Sequence, residues 1–217
     1  QIEIGLATDA EGRPVAVEVF EGNTADPTAL SAEIARFQQR LGLERVIVVG
    51  DRGMINDVRI RKDLAPNGHD WISALRNAAI QKLAADDGPL QLGLFDDTNL
   101  VELASQDYPE ERLVACRNPE LADYRAHKRE ALLAETEKGL AKVARAVEEG
   151  RLKNCDAIAR RAEKALGRHK MAKHFRTEID HQHFRYERDE TGIAAEAALD
   201  GIYVIRTSLG ADELTAE

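Results

Sequence analysis

The sequence is poor in the features that mark several specialised classes of protein. Aromatic residues make up 5% of the 217 residues, with one tryptophan, Trp71, which argues against a stacking platform for nucleic-acid bases. The longest strongly apolar run, Val46–Gly50, is flanked by charge, which excludes a transmembrane span. The two cysteines, Cys116 and Cys155, match neither a zinc nor a redox spacing, so a reducing, cytoplasmic setting is indicated.

The composition is otherwise that of a folded protein. Hydrophobic residues make up 43% and charged residues 32% of the chain, and the length predicts one or two domains. The sequence begins at Gln1 without a methionine or a signal-peptide pattern. We therefore expect it to be an internal piece of a longer protein.

The charge is distributed unevenly. The net charge of −9 argues against a uniformly basic nucleic-acid-binding protein. The segment Arg151–Arg176, however, holds nine basic and two acidic residues, so it carries +7 and the rest of the chain −16. Such a block indicates either a surface for a polyanion or a solvated helix face, and charge alone favours neither.

The first third of the chain alternates between strand and helix patterns. Ile2–Thr8 and Val15–Phe20 predict a hairpin, and Asp26 followed by Pro27 predicts the start of a helix. The continuous apolar run Val46–Gly50 is typical of a strand that is buried on both faces.

A short helix over Asn56–Leu64 and a strand over His69–Leu75 follow. This order predicts an α/β layer with helices packed on a central sheet. We expect Val46–Gly50 in the centre of that sheet and Ile202–Arg206 added beside the early strands.

The middle of the chain has a different character. Leu100–Ala104 and Arg112–Arg117 predict a second hairpin. Pro119 begins a long helix that ends near Glu149, and Asn154 is placed to cap a second helix. Two amphipathic helices joined by a short loop form an antiparallel αα-hairpin.

These patterns predict three parts. Residues 1–78 form the first part of the core, and residues 79–177 are a largely helical insertion. Residues 178–217 return to the core sheet through Phe184–Arg188 and Ile202–Arg206.

Asp51 is the strongest candidate for a functional residue. It follows a buried strand, at the sheet edge where open α/β sheets bind ligands, and Arg52 beside it offers a positive group for a phosphate. An acid that caps the following helix has the same appearance in the sequence, so that alternative stays open.

Three segments resemble one family when taken together: Val48-Val-Gly-Asp51-Arg-Gly-Met54, Phe20-Glu-Gly-Asn23-Thr-Ala-Asp26 and Asp200-Gly-Ile-Tyr-Val-Ile-Arg-Thr207. They resemble bacterial insertion-sequence transposases of the DDE type, in the group whose third acid lies in a helix with tyrosine, arginine and lysine. The resemblance implies a ribonuclease-H-like fold, and Asp51 matches the second catalytic acid.

The resemblance also implies a chemistry. Three carboxylates hold two Mg²⁺ ions (Mn²⁺ is an alternative) about 3.5–4 Å apart, and the ions promote phosphodiester cleavage and strand transfer. The implied partners are double-stranded DNA and a second copy of the transposase in a synaptic complex. The implied location is the cytoplasm, on the nucleoid when DNA is bound.

The other two acids are not found by the same match. The first is expected upstream of Ile2, and the third on a helix after Ile202–Thr207, so we expect this piece alone to be inactive. Tyr203 and Arg206 have the Tyr-x-x-Arg spacing, but the glutamate would then fall at Gly210, so we treat that match as accidental.

Two later acids, Glu213 and Glu217, are weak candidates for the third acid, because helix starts favour acids in any case. Asn23 and Asp26 are expected to be structural. The pair His181 and His183 lacks a cysteine or acid at ligand spacing, which disfavours a metal site.

Five residues are the candidate DNA contacts. One is Arg52, and the basic segment supplies the other four: Arg160, Arg161, Lys164 and Arg168. In the alternative interpretation, acids of the first helix such as Glu130, Glu135 and Glu137 neutralise them. Two rival functions stay open: a non-enzymatic assembly module built on the helical hairpin, and a ribonuclease-H-like nuclease that does not transpose.

Overall fold

The computed structural model describes residues 2–21, 27–85, 88–180 and 183–216. In chain order the strands and α-helices are β1 (Ile2–Thr8), β2 (Pro14–Glu21), α1 (Pro27–Leu41), β3 (Ile47–Val49), α2 (Asp57–Arg59), β4 (Asp70–Ala74), α3 (Asn77–Leu83), β5 (Leu100–Leu103), β6 (Arg112–Arg117), α4 (Pro119–Glu148), α5 (Cys155–Arg168), β7 (Phe175–Ile179), β8 (Phe184–Arg188), α6 (Glu190–Ala197) and β9 (Ile202–Thr207). No helix in these ranges is both long and apolar enough to cross a membrane.

The fold is mixed α/β, as the element order predicts. The main sheet has five strands in the order β3-β4-β9-β6-β5. Strand β3 runs parallel to β4, and β9 is antiparallel to β4, with Ile72 opposite Thr207. The predicted pairing of Ile202–Arg206 with an early strand is therefore confirmed. The predicted hairpins also form, β1–β2 as a separate two-stranded sheet and β5 beside β6.

The prediction that Val46–Gly50 is central and buried on both faces is wrong. In the described residues β3 has a single neighbour, β4, and so forms an edge of the five-stranded sheet. Val48 is buried, whereas Ile47 and Val49 are 44% and 68% exposed. A continuous apolar run fits a strand covered on both faces, but here the alternation of side chains brings only Val48 into the core.

The chain divides into two compact units, the first of which (unit 1) comprises residues 1–76, 104–113 and 205–216. Its core contains residues from α1, β3, β4 and the segment between the two strands: Ile34, Val48, Ile55, Ile60, Leu64 and Trp71. Asn56 begins the predicted short helix, since its side-chain oxygen accepts hydrogen bonds from the backbone N–H groups of Val58 and Arg59. The helix continues to Leu64 as a π-helical turn.

Unit 2 comprises residues 77–103 and 114–204 and contains the helical hairpin α4–α5. Asn118 caps α4 and Asn154 caps α5 through their side-chain oxygens, and Gly150 in the loop has a φ of 69°. The two helices pack closely, because a Cβ at Gly139 would lie 3.1 Å from that of Ala165. The two predicted helices are thus confirmed.

Strand Phe184–Arg188 does not return to the main sheet. It pairs with β7, and the two form a separate sheet whose Phe175 and Phe184 join the core of α4 and α5. Among the described residues after 177, only β9 joins the five-stranded sheet. The sequence gives no turn signal that separates β7 from the preceding basic segment, and β7 is therefore missing from the prediction, as are α3 and α6.

Candidate active site

Asp51 lies directly beyond the end of β3, as the sequence predicts. The backbone N–H of Gly50 donates to the carbonyl of Ile72 at 3.1 Å, which extends the pairing with β4 by one residue. Asp51 is the next residue and is exposed. The carboxylate is therefore accessible at the carboxyl end of a parallel strand pair, where α/β sheets bind ligands.

The Asp51 side chain closes a tight turn. Its Oδ1 accepts hydrogen bonds from the backbone N–H groups of Gly53 and Met54, each at 2.8 Å, and its carbonyl accepts one from Ile55 at 2.9 Å. These two backbone donors, with a smaller contribution from the charge of Arg52, lower the pKa of Asp51 below its usual value. The group is a carboxylate at neutral pH.

The alternative role for Asp51, as the cap of the following helix, is taken by another residue. Helix α2 is capped by Asn56, and the hydrogen bonds of Asp51 end at Ile55. Asp51 thus shapes the turn before the helix and leaves the helix terminus to Asn56.

A buried arginine in unit 1 forms a cluster that the sequence does not reveal. Arg206 is 5% exposed and donates from Nε to Glu111 Oε2 at 2.6 Å, from Nη2 to Glu111 Oε1, and from Nη1 to Asp57. Its guanidinium lies 4.9 Å from the centre of the Tyr108 ring, and Trp71 Nε1 donates to Glu111 at 3.4 Å. Because the partners are far apart in the sequence, no local motif predicts this cluster.

The arginine cluster braces the segment that carries Asp51. On β4, Ser73 stands opposite Arg206 and donates its hydroxyl to the carbonyl of Ile55 at 3.1 Å. Asp57, at the start of α2, is bonded to Arg206 itself. The turn at Asp51 is therefore followed by two anchors, at Ile55 and Asp57.

The Tyr-x-x-Arg spacing does not create a joint site. Tyr203 is 39% exposed on β9, whereas Arg206 is buried. An offset of three residues along a strand places the two side chains on opposite faces of the sheet. This geometry agrees with treating the match as accidental.

The described residues do not supply the other carboxylates of a two-metal centre. Glu213 is bonded to Arg45, which also donates to Asp70 at 2.6 Å, and the hydrogen bond from Arg45 lowers the pKa of Glu213. Glu217, Asn23, Asp26 and His181 lie outside the described residues.

No group of three or more His, Cys, Asp or Glu side chains that is able to hold a metal ion occurs in the part of the chain that the structure describes. Asp51 fits one magnesium ligand, because a carboxylate oxygen is the donor that this ion prefers. A single carboxylate does not fit a site for two Mg²⁺ ions.

The four candidate DNA-contacting residues of α5 are exposed: Arg160, Arg161, Lys164 and Arg168. Arg160, Lys164 and Arg168 follow one another at spacings of four, so they form a line along one face of the helix. Within the described ranges, no carboxylate lies at ion-pair distance from any of the four.

The acids that the alternative interpretation assigns to these cations have other partners. Glu130 and Glu137 both bind Arg188, and Glu135 binds Lys138 at 2.6 Å. The acids of α4 therefore do not form ion pairs with the cations of α5.

Three of the five other cations of the basic segment are paired. Arg151 bonds to Glu149, Lys173 bonds to Glu196, and Arg176 bonds to Asp189 at 2.7 Å. Six of the nine cations of this segment therefore have no ion-pair partner in the described residues, and four of these six are the exposed cations of α5. Arg52 is also exposed, beside Asp51.

No protein-family model matches the chain, and neither a curated protein nor a solved structure is significantly similar to it. The resemblance of three short segments to insertion-sequence transposases therefore stays a prediction, as do the ribonuclease-H-like fold and the roles that it implies.

Proposed function

We propose that this chain is part of a metal-dependent DNA transposase, which cleaves and joins phosphodiester bonds at the ends of insertion sequences. The observation that carries this proposal is the position of Asp51. Its carboxylate is ionised, exposed and held by two backbone N–H groups at the carboxyl end of β3. A fixed, accessible carboxylate of this kind suits a ligand of Mg²⁺ or Mn²⁺.

The order of elements supports the same proposal. A hairpin, a helix, the strand β3 that precedes Asp51, a helix and a further strand follow one another in residues 2–74. This is the order that the resemblance to DDE transposases implies. The mixed sheet is compatible with a ribonuclease-H-like core, and we propose that core as the fold of unit 1.

The open edge of β3 supports the expected position of the first acid. In the described residues β3 pairs with β4 alone, so its other edge is available to a strand. We propose that the segment upstream of Ile2 supplies this strand and its acid, and that the third acid follows β9.

The exposed cations of α5 are the proposed contact with double-stranded DNA. Arg160, Arg161, Lys164 and Arg168 have no ion-pair partner in the described residues, and phosphate oxygens are suitable partners. We also propose a contact of Arg52 with a phosphate near Asp51, and a homodimer in the synaptic complex.

The test is the variant Asp51→Asn in the full reading frame that encodes this chain. The amide oxygen still accepts the bonds from Gly53 and Met54, so the fold is kept while the negative charge is removed. We expect cleavage of DNA that carries the insertion-sequence ends to fall at least 100-fold, since each tenfold loss needs only about 1.4 kcal/mol in the barrier.

Asp9→Asn is the matched control. Asp9 is also a turn acid whose Oδ1 accepts two backbone hydrogen bonds, from Glu11 and Arg13. Cleavage by Asp9→Asn is expected to equal that of the unaltered protein. Equal cleavage by Asp51→Asn would show that Asp51 is not catalytic. A nuclease that does not transpose would need Asp51 but yield no joined strands, so the assay measures both products.

A further inference from the structure

Unit 2 contains a cavity of about 440 Å³ that the proposed transposase chemistry does not use. Its walls come from α3, α4, the turn that precedes β7 and the connection between α6 and β9. The volume is within the range of about 300–1,000 Å³ that is usual for small-molecule sites. The lining also includes apolar side chains, among them Leu132, Met171 and Leu199.

The charged side chains of the cavity are not balanced. They comprise four cations and two acids: Arg125, Lys128, Arg129, Lys173, Glu196 and Asp200. Asp200 is held by Arg129 through two hydrogen bonds, the longer at 3.0 Å, and both side chains are 11% exposed. Glu196 is bonded to Lys173. Both acids are therefore already neutralised by cations of the same cavity.

Two cations remain for a ligand. Arg125 is half-buried and Lys128 is exposed, and within the described residues neither has a carboxylate at ion-pair distance. Their spacing of three places them on one face of α4. Lys128 also lies 5.6 Å from the centre of the Tyr124 ring. The planar fork of an arginine beside a lysine is suited to the oxygens of a phosphate.

The geometry points to a nucleotide site in this cavity, with the phosphate on Arg125 and Lys128 and the sugar or base against the apolar side chains of the lining. This inference rests on the proposed function where the nucleotide belongs to a DNA strand. A free mononucleotide offers the same chemistry, and the two sources are separated by experiment. An acidic peptide uses the same cations, but its acidic side chains make no use of the apolar part of the lining.

The experiment measures binding of deoxyadenosine monophosphate to this chain by calorimetry, and binding of a fluorescent single-stranded oligonucleotide by anisotropy. The test variant is Arg125→Gln/Lys128→Gln. The control is Lys142→Gln/Arg145→Gln, which removes the same charge from two exposed residues of α4 that do not line the cavity. We expect the test variant to lose at least tenfold in affinity for the mononucleotide and the control to lose none.

A second variant, Lys128→Arg, keeps the charge and is expected to bind within about threefold of the unaltered chain. Circular dichroism checks that all variants are folded. If the oligonucleotide competes with the mononucleotide and loses affinity in the test variant, the site holds a nucleotide of a strand. If only the mononucleotide binds there, the site holds a free nucleotide.

The inference is overturned if neither probe binds, if the test variant binds as the control does, or if a glutamate-rich peptide displaces the mononucleotide at equal concentration. These results are distinct from those on Asp51. Normal binding by the test variant together with an inactive Asp51→Asn variant rejects the nucleotide site but not the proposed transposase function. Weakened binding by the test variant together with a fully active Asp51→Asn variant rejects the proposed transposase function but not the nucleotide site.

Discussion

Basic side chains occur in two opposite environments in this protein. In unit 1, Arg206 is buried between two carboxylates and an aromatic ring. On α5 in unit 2, four cations are exposed and have no ion-pair partner among the described residues. In the first arrangement each of the three guanidinium nitrogens donates a hydrogen bond within the fold, whereas the second leaves its charge available to a ligand. We therefore expect replacement of Arg206 to lower the stability of the fold, and replacement of the α5 cations to lower the affinity for a ligand.

The largest effect is expected from Arg206→Met. This change leaves Glu111, whose side chain is 10% exposed, buried without its cation, which typically costs about 3–5 kcal/mol. Denaturation by urea measures the loss. The control is Lys138→Met, which removes an exposed ion pair with Glu135 and is expected to change the free energy of unfolding very little. Equal stability of the two variants would show that the buried Arg206 contributes no more to the fold than an exposed ion pair does.

The opposite outcome is expected when Arg160, Arg161, Lys164 and Arg168 are all replaced with Gln. The free energy of unfolding is expected to stay constant. If the proposed function holds, the affinity of the full-length protein for DNA falls about 100-fold for specific and random duplexes alike. The plot of log affinity against log salt has a negative slope, and its magnitude is expected to fall by about 0.9 for each phosphate that the protein no longer neutralises. An unchanged slope would assign these cations to a solvated helix face.

A smaller effect is expected at the contact between α4 and α5. Gly139→Leu forces a side chain against Ala165, so the free energy of unfolding is expected to fall by about 1–3 kcal/mol. Gly167 has open space where a Cβ would lie, and Gly167→Ala is expected to stabilise α5 by up to about 1 kcal/mol. Chemical denaturation compares the two. A stabilising Gly139→Leu would show that the helices are not in close contact.

The smallest effect is a pH dependence at His174, which is 1% exposed and has no hydrogen bond from either ring nitrogen among the described residues. Burial lowers the pKa of His174, and the charges of Lys173 and Arg129 add to this, against Glu196 and Asp189, which raise it. The unfolded chain, with a pKa of about 6.5, then binds the proton more readily than the folded one.

The contribution of neutral His174 to the free energy of unfolding is therefore fully present above about pH 6.5. It decreases as the pH falls below that value, by at most about 1.4 kcal/mol per pH unit. Urea denaturation at pH 7.5 and 5.5 measures this decrease. In His174→Gln the difference between the two pH values is expected to be smaller. A variant as pH-sensitive as the unaltered chain would place the effect on other groups.

The sequence predicts local features of this fold better than non-local ones. Caps such as Asn56 and Asn154 are recognised because cap and helix are adjacent in the chain. The position of Asp51 follows from the strand before it. The apolar run at β3 shows that a strand exists, but how many of its faces are covered depends on segments elsewhere in the chain.

The partners of charged groups depend on the fold as a whole. Arg206 forms ion pairs with Asp57 and Glu111, which are distant in the sequence. Arg188 forms ion pairs with Glu130 and Glu137 of α4, which one interpretation of the sequence pairs with the cations of α5. Which cations stay unpaired is therefore visible only after folding. For the same reason the cavity at Arg125 and Lys128 has no signature in the sequence.

The pairing of β4 with β9 has a consequence for the order in which the chain folds during synthesis. Ile72 leaves the ribosome long before its partner Thr207, and at about 5–20 residues per second the delay is on the order of 10 s. Helices α4 and α5 depend on contacts close in the chain and form within that interval. Throughout that interval the edge of β4 that later pairs with β9 is open, and such an edge is able to pair with another strand.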